Sequence, residues 1–281
     1  MAKTRNASHE VYIPKFTATQ RALARKSFEY FCGLITPEYT LNWHHKVLCG
    51  KLQKLQNGEV TRMMVACPPQ HQKSTYSSIL FPAWALGVDP DEQIGFVSYN
   101  AGKAEEFNRS VQKVMDMPEY REIFPDSRLA GSGKGQNIYV RNSERFDIVG
   151  KKGFFKSIGI GGSFTGTPAT LIIIDDPIKD KEEARSATIQ ERNWNWWTTV
   201  ALARAQNKTR IMIIQTRWDS LDLMGMVLTN SHEHEDNKKF EVVCFEAIKE
   251  NIDMPEDPRK RGEALFPAMH SLESLLEKRR T

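Results

Sequence analysis

The chain of 281 residues is poor in whatever would tie it to a membrane, an oxidising compartment or a repetitive scaffold. Its four cysteines, Cys32, Cys49, Cys67 and Cys244, are scattered, so there is no C-x-x-C metal or redox pair and no disulfide framework. No apolar run approaches the roughly 18 residues of a spanning helix, and the start MAKTRNASHE lacks the apolar stretch of a signal peptide. These absences exclude membrane and secretory classes and predict a cytosolic protein. Neither sign of charge dominates: 39 Lys and Arg against 35 Asp and Glu leave +4, which permits a basic stripe for a polyanion without requiring one. With 40% apolar and 26% charged residues, disorder, collagen and coiled coil drop out.

What is present is an alternating pattern. Helical spacing of Leu23, Phe28, Phe31, Val47, Leu48, Leu52 and Leu55, broken at Pro37, predicts two helices and a joint before Asn57-Gly58. Short continuous apolar runs follow at Met63 to Cys67, Ile94 to Ser98, Leu171 to Ile174, Ile211 to Gln215 and Val242 to Phe245, as expected for strands buried on both faces. Helical patterns lie between them at Ser74 to Leu86, Lys103 to Met115 and Ala184 to Ala205, which predicts a mainly parallel α/β sheet flanked by helices. The Gly-rich stretch Ala130 to Gly166, with alternating Ile138-Tyr139-Val140 and Phe146-Asp147-Ile148-Val149, reads as a hairpin insertion. Residues 1–58 form an N-terminal helical segment, 59–247 the core, and the polar, Pro-rich 248–281 a linker.

Three strand ends carry the chemistry. The first strand runs through Cys67-Pro68-Pro69-Gln70-His71-Gln72 into a helix opening with Lys73-Ser74-Thr75. Helix-start N–H groups, an ammonium and a hydroxyl in that order suit a phosphate with Mg²⁺. The strict G-x-x-x-x-G-K-[ST] pattern fails at Cys67 and Gln72, so a proline-stiffened turn before a capped helix is the plain alternative, and a left-handed backbone at position 72 would cost a non-glycine roughly 1–2 kcal/mol. Next, the strand Leu171 to Ile174 ends in Asp175-Asp176-Pro177, the form of a Walker B element, in which the first acid holds Mg²⁺ and the second orients the attacking water. An Asp-Asp-Pro turn that merely ends a strand is the alternative there. Last, Ile211 to Ile214 ends in Gln215-Thr216-Arg217, at the sheet edge where open α/β folds bind ligands.

With these in place the chain resembles the ATPase part of tailed-phage terminase large subunits, from about Asn42 to Leu276. Further family-like pieces are Phe81-Pro82-Ala83-Trp84-Ala85-Leu86-Gly87, Ser98-Tyr99-Asn100, Gly161-Gly162-Ser163-Phe164-Thr165-Gly166 and Thr216-Arg217-Trp218 followed by Asp222-Leu223. The resemblance implies a P-loop NTPase fold of the ASCE/RecA-like kind and an ATP- and Mg²⁺-dependent motor. That motor would move double-stranded DNA into a procapsid as a homo-oligomeric ring, with portal protein and small terminase subunit as partners, in host cytoplasm and at the procapsid portal. It assigns Lys73 and Ser74 to phosphate and Mg²⁺, with Gln70, His71, Gln72 and Thr75 around the nucleotide, Asp175 to the metal, Asp176 to catalysis and Thr216 to coupling. Trp43 or His44 would pack on the adenine, or both would serve a core helix. The family usually has Arg at position 70, Gly at 72 and a basic residue at 167, where this chain has Gln70, Gln72 and Thr167. An arginine finger is therefore unassigned among Arg128, Arg141, Arg145 and Arg217. A nucleotide-binding or DNA-docking module with little hydrolysis is the alternative function, and the linker would lead toward a nuclease domain absent from this chain.

Other features read as structural. Trp194, Trp197, Ala201 and Ala205 make a packing stripe, His232-Glu233-His234-Glu235-Asp236 a solvated loop, and Arg259-Lys260-Arg261 and Lys278-Arg279-Arg280 either DNA-phosphate contacts or linker solubility.

Overall fold

The computed structural model describes residues 15–39, 41–131, 138–164, 168–233 and 239–280. Seven strands form one sheet in the order β3-β4-β2-β5-β6-β1-β7. In chain order they are β1 (Arg62–Ala66), β2 (Gln93–Ser98), β3 (Arg145–Asp147), β4 (Phe154–Gly159), β5 (Ala169–Asp175), β6 (Ala205–Gln215) and β7 (Glu241–Cys244). All neighbours are parallel except β3 with β4.

The apolar runs are continuous because alternate residues serve two cores. Met63, Val65, Ile94, Phe96, Leu171, Ile173, Met212 and Ile214 face one layer, and Met64, Val97, Ile172, Ile174, Ile211 and Ile213 face the other. The first layer is covered by α1 (Ala18–Lys26), α2 (Phe28–Ile35), α3 (Trp43–Gln56), α4 (Phe81–Val88), α5 (Ala101–Asp116) and α6 (Pro118–Ile123). A π-helical turn, Thr75–Leu80, leads straight into α4. On the second layer lie α8 (Ala187–Trp196) with its π-turn Trp197–Ala201, and α10 (Leu223–Glu233). Short α7 (Lys181–Ala184) and α9 (Leu202–Arg204) complete the connections, and α11 (Leu272–Arg280) ends the chain.

Four differences from the sequence reading have local causes. The described part of the N-terminal region holds three helices, because Ser27 caps α2 and interrupts what the spacing joined. The segment after the acidic pair is broken into short helices before β6, which starts at Ala205. Its tryptophan stripe is shifted by the π-turn: Trp196 as well as Trp197 is buried, and the Trp196 indole donates to the Gly162 carbonyl at 2.8 Å. Within the Gly-rich stretch, Phe146 lies in β3 and the sheet continues through β4, while 138–140 form no strand. Residues 132–137 and 165–167 lie outside the described ones. Finally, the segment read as a linker packs in part: Leu265 is fully buried in the first core, with Ala264 and Phe266 beside it, while α11 buries no residue.

Candidate functional site: a glycine-free turn facing two carboxylates

β1, β6 and β5 are adjacent and parallel, so their carboxyl ends put Cys67, Gln215 and Asp175 side by side. From Cys67 the chain enters the turn. Gln70 and Gln72 both take φ of 61°, while His71 and Lys73 between and after them stay on the negative side. Left-handed backbone costs a residue with a side chain roughly 1–2 kcal/mol. Alternation of this kind turns successive N–H groups toward one concavity, a nest for an anion, and the helix that opens at Lys73 adds its own N–H groups.

Lys73 is buried, and its ammonium lies 2.7 Å from Asp176 Oδ2. Burial works against that charge, but Asp176 and then Asp175 outweigh it and leave the lysine pKa raised. Ser74 donates from Oγ to Asp175 Oδ1 at 3.2 Å, and Ser78, buried one helical turn further on, helps to lower the pKa of the same carboxyl. Asp175 is 1% exposed, and its Oδ2 has no hydrogen-bond partner among the described residues. Burial and then the Asp176 charge push this carboxyl up to about 6, against the pull of Lys73 and the serines. A buried carboxylate oxygen without a partner beside a serine hydroxyl is a donor set that a hard divalent cation fits.

Asp176 follows with φ of 42°, a strained position for a non-glycine. Its Oδ1 accepts from the Thr216 N–H at 2.8 Å, and Thr216 Oγ1 donates to the Cys67 carbonyl at 3.3 Å. Thr216 thereby ties the end of β1 to the second acid. Gln215, 2% exposed, has an amide oxygen without a partner among the described residues. Thr75 opens the π-turn next to Ser74. The structure thus brings Gln70, His71, Gln72, Lys73, Ser74, Thr75, Asp175, Asp176 and Thr216 to one sheet edge.

Trp43 and His44, read as adenine-side contacts or as core-helix residues, open α3 behind the turn. His44 is 1% exposed, behind the turn, with Nε2 3.3 Å from the His71 carbonyl. Trp43 packs edge-on against Phe245 at 5.9 Å and lies under the Arg259 guanidinium at 5.3 Å. The open space beside the turn is a cavity of about 660 Å³ between Pro68, Pro69, Gln70 and His71 on one side and Ile248, His270, Leu275 and Lys278 on the other.

A family model, "Terminase large subunit, T4likevirus-type, N-terminal", matches residues 64–280. The chain belongs to this terminase family. Among solved structures, the large terminase of bacteriophage HK97 is similar over 85% of this chain and 46% of its own, at 15% identity and TM-score 0.48. A variant of the large terminase ATPase domain of Thermus phage P74-26 is similar over 79% of this chain and 87% of its own, at 13% identity and TM-score 0.49. The Phi-28 gp11 DNA packaging motor is similar over 73% and 62%, at 14% identity and TM-score 0.39. This terminase chain therefore spans less than half of the HK97 protein. No curated protein matches it.

The four arginines left open by the terminase sequence are all engaged. Arg217 pairs with the fully buried Asp222 at 2.8 Å, Arg145 with Asp147 at 2.8 Å, Arg141 with Asp116, and Arg128 donates to the Pro125 carbonyl at 2.6 Å. Arg259 is likewise structural: it is buried, pairs with Asp257 at 2.9 Å and donates to the Glu246 carbonyl at 2.9 Å. Sequence reasoning missed Ser78, whose place four residues after Ser74 was the available signal, and His45 and His270, for which the sequence offers none. The cluster His232 to Asp236 falls largely outside the described residues, among which no group of three or more His, Cys, Asp or Glu is placed to hold a metal. No helix among them is long and apolar enough to cross a membrane.

Proposed function

We propose that the chain is the ATP-hydrolysing part of a terminase motor that drives double-stranded DNA into a procapsid. The observation that carries this reading is the meeting of Lys73, Asp175 and Asp176 at one sheet edge, opposite a turn whose N–H groups form a nest. Family membership supports the packaging role. Ser74 and Asp175 would hold Mg²⁺, which would supply neutralisation of charge on the transferring phosphoryl group. The cavity beside Pro69 and His71 takes the base side of the nucleotide.

Without nucleotide both oxygens of Asp176 are occupied, Oδ2 by Lys73 and Oδ1 by the Thr216 N–H. A phosphate in the nest draws the ammonium of Lys73 to itself. Oδ2 is then free to accept a proton from water, while Thr216 keeps the carboxylate in place. Because Thr216 also holds the Cys67 carbonyl, a change at Asp176 is passed to β1 and β6, a route from hydrolysis to movement. An arginine finger drawn from Arg128, Arg141, Arg145 and Arg217 has to leave its partner in this chain, in cis or on a neighbouring subunit of a homo-oligomeric ring, and a finger supplied in trans makes turnover rise with protein concentration. Portal protein, small terminase subunit and DNA are the partners of that ring, at the procapsid portal in host cytoplasm.

Phosphate release from ATP, with and without DNA and across protein concentration, tests the reading. Turnover lost in Lys73→Ala and Asp176→Asn supports it. Nucleotide binding without turnover under any of these conditions favours a docking module instead.

A further inference from the structure

Three consecutive carbonyls of the turn are taken by imidazoles. The Pro69 carbonyl accepts from His71 Nδ1 at 2.8 Å, and the Gln70 carbonyl from His270 Nε2 at 3.1 Å. The His71 carbonyl accepts from both His44 Nε2, at 3.3 Å, and His45 Nε2, at 3.4 Å. Partners fix the tautomers. The Asn42 side-chain amide donates to His44 Nδ1 at 2.9 Å and the Asn42 backbone N–H to His45 Nδ1 at 3.1 Å, so each ring keeps its proton on Nε2. A carbonyl only accepts, which places the His71 proton on Nδ1 and the His270 proton on Nε2.

A peptide unit is planar and trans, so fixing its C=O on one side turns its N–H to the other. Ties on the carbonyls of Gln70 and His71 therefore aim the N–H groups of His71 and Gln72 away from the imidazoles and into the nest. Glycine adopts positive φ freely, but Gln70 and Gln72 do not, and something outside the turn must hold them at 61°.

We propose that His44, His45 and His270 are positioning residues that hold this glycine-free turn in its phosphate-receiving shape by gripping its outward carbonyls. The proposal rests on the reading of the turn as a phosphate site. It gives His44 a role behind the turn, and it predicts that the histidines matter because position 72 is not glycine.

The test is ADP titration by calorimetry on the parent, His270→Phe and the double variant His44→Phe/His45→Phe, each with Gln72 and with Gln72→Gly. With Gln72, loss of the imidazole donors weakens binding about tenfold. With glycine at 72 the same replacements weaken it about threefold or less, because the turn then needs less external support. Equal losses in both backgrounds, or no loss in either, overturn the proposal. Should the buried double variant fail to fold, the half-buried His270 carries the comparison. Amide hydrogen exchange of residues 70–73 in the nucleotide-free protein gives a second reading: the histidine replacements speed it about tenfold in the Gln72 background, and unchanged exchange overturns the proposal. If the parent binds no ADP while exchange responds as expected, the phosphate-site reading fails and the histidine ties stand.

Discussion

The two ends of the central sheet are built to opposite rules. At the amino end, Arg210 and Glu92 form a buried ion pair, and Arg210 also donates to the Gln56 carbonyl at 2.9 Å and to Gln56 Oε1 at 3.0 Å. Thr170 and the Gln56 amide serve the remaining lone pairs of Glu92, and Arg62 donates to the Thr209 carbonyl at 2.6 Å. At the carboxyl end and its turn lie all five buried side-chain atoms that lack a partner among the described residues, on His71, Gln72, Tyr76, Asp175 and Gln215. The three non-glycine residues of positive φ, Gln70, Gln72 and Asp176, are there too. One end spends its polar groups on itself and stabilises the sheet. The other leaves them unspent and strained, the state expected of a surface whose partner is a ligand.

The contrast is open to direct attack. Its largest consequence is functional: Lys73→Ala should lower ATP turnover at least 10³-fold, measured as phosphate release, with little change in melting temperature. At the opposite end, Arg210→Met should leave Glu92 buried and unpaired and cost about 3–5 kcal/mol in urea unfolding. The folded fraction should still bind ADP. An Arg210→Met protein of parental stability would remove the contrast.

Acid should expose the carboxyl end next. Burial first, then the adjacent His45, lower His44 to about 3, while burial lowers His45 and His71 to about 4, from an ordinary 6.5. The unfolded chain then binds more protons than the native one below pH 6.5, so stability is full above that value and falls toward pH 4. Asp175, pushed up to about 6, acts with the opposite sign and offsets one of the three protons. The expected slope is up to about 3 kcal/mol per pH unit, read from urea midpoints between pH 6 and 4.5. A flat profile would show that these imidazoles are not held neutral. The smallest effect is Gln72→Gly, which should relieve left-handed strain and stabilise the nucleotide-free protein by about 0.5–1 kcal/mol, the entropy of glycine offsetting part of the gain.

The sheet was legible because its strands are continuous apolar runs, a signal that survives without knowing any contact. Lys73, Asp175 and Thr216 were legible because each directly ends such a run or opens the helix after it. The histidine ties were not: His45 and His270 reach the turn from residues far away in sequence, and a periodicity that places them on helices or loops says nothing of which carbonyl they meet. Arg259 misled for the converse reason. Its neighbours Lys260 and Arg261 make a basic run, and only folding shows that it lies over Trp43. Gln72 was readable as a departure from glycine, yet its φ had to be seen.

The hydrogen bond from Asn42 to the Leu265 carbonyl, 2.7 Å long, spans 223 residues of chain. It closes the longest loop through the site, and such closures form late because their entropy is spent before other contacts reward it. A version of the chain ending before Leu265 keeps all seven strands and the whole turn sequence, but loses the clasp that brings α3 and the C-terminal segment together. The pocket is thus walled on one side by the segment after β7, and fraying of that segment opens it while the sheet stays folded.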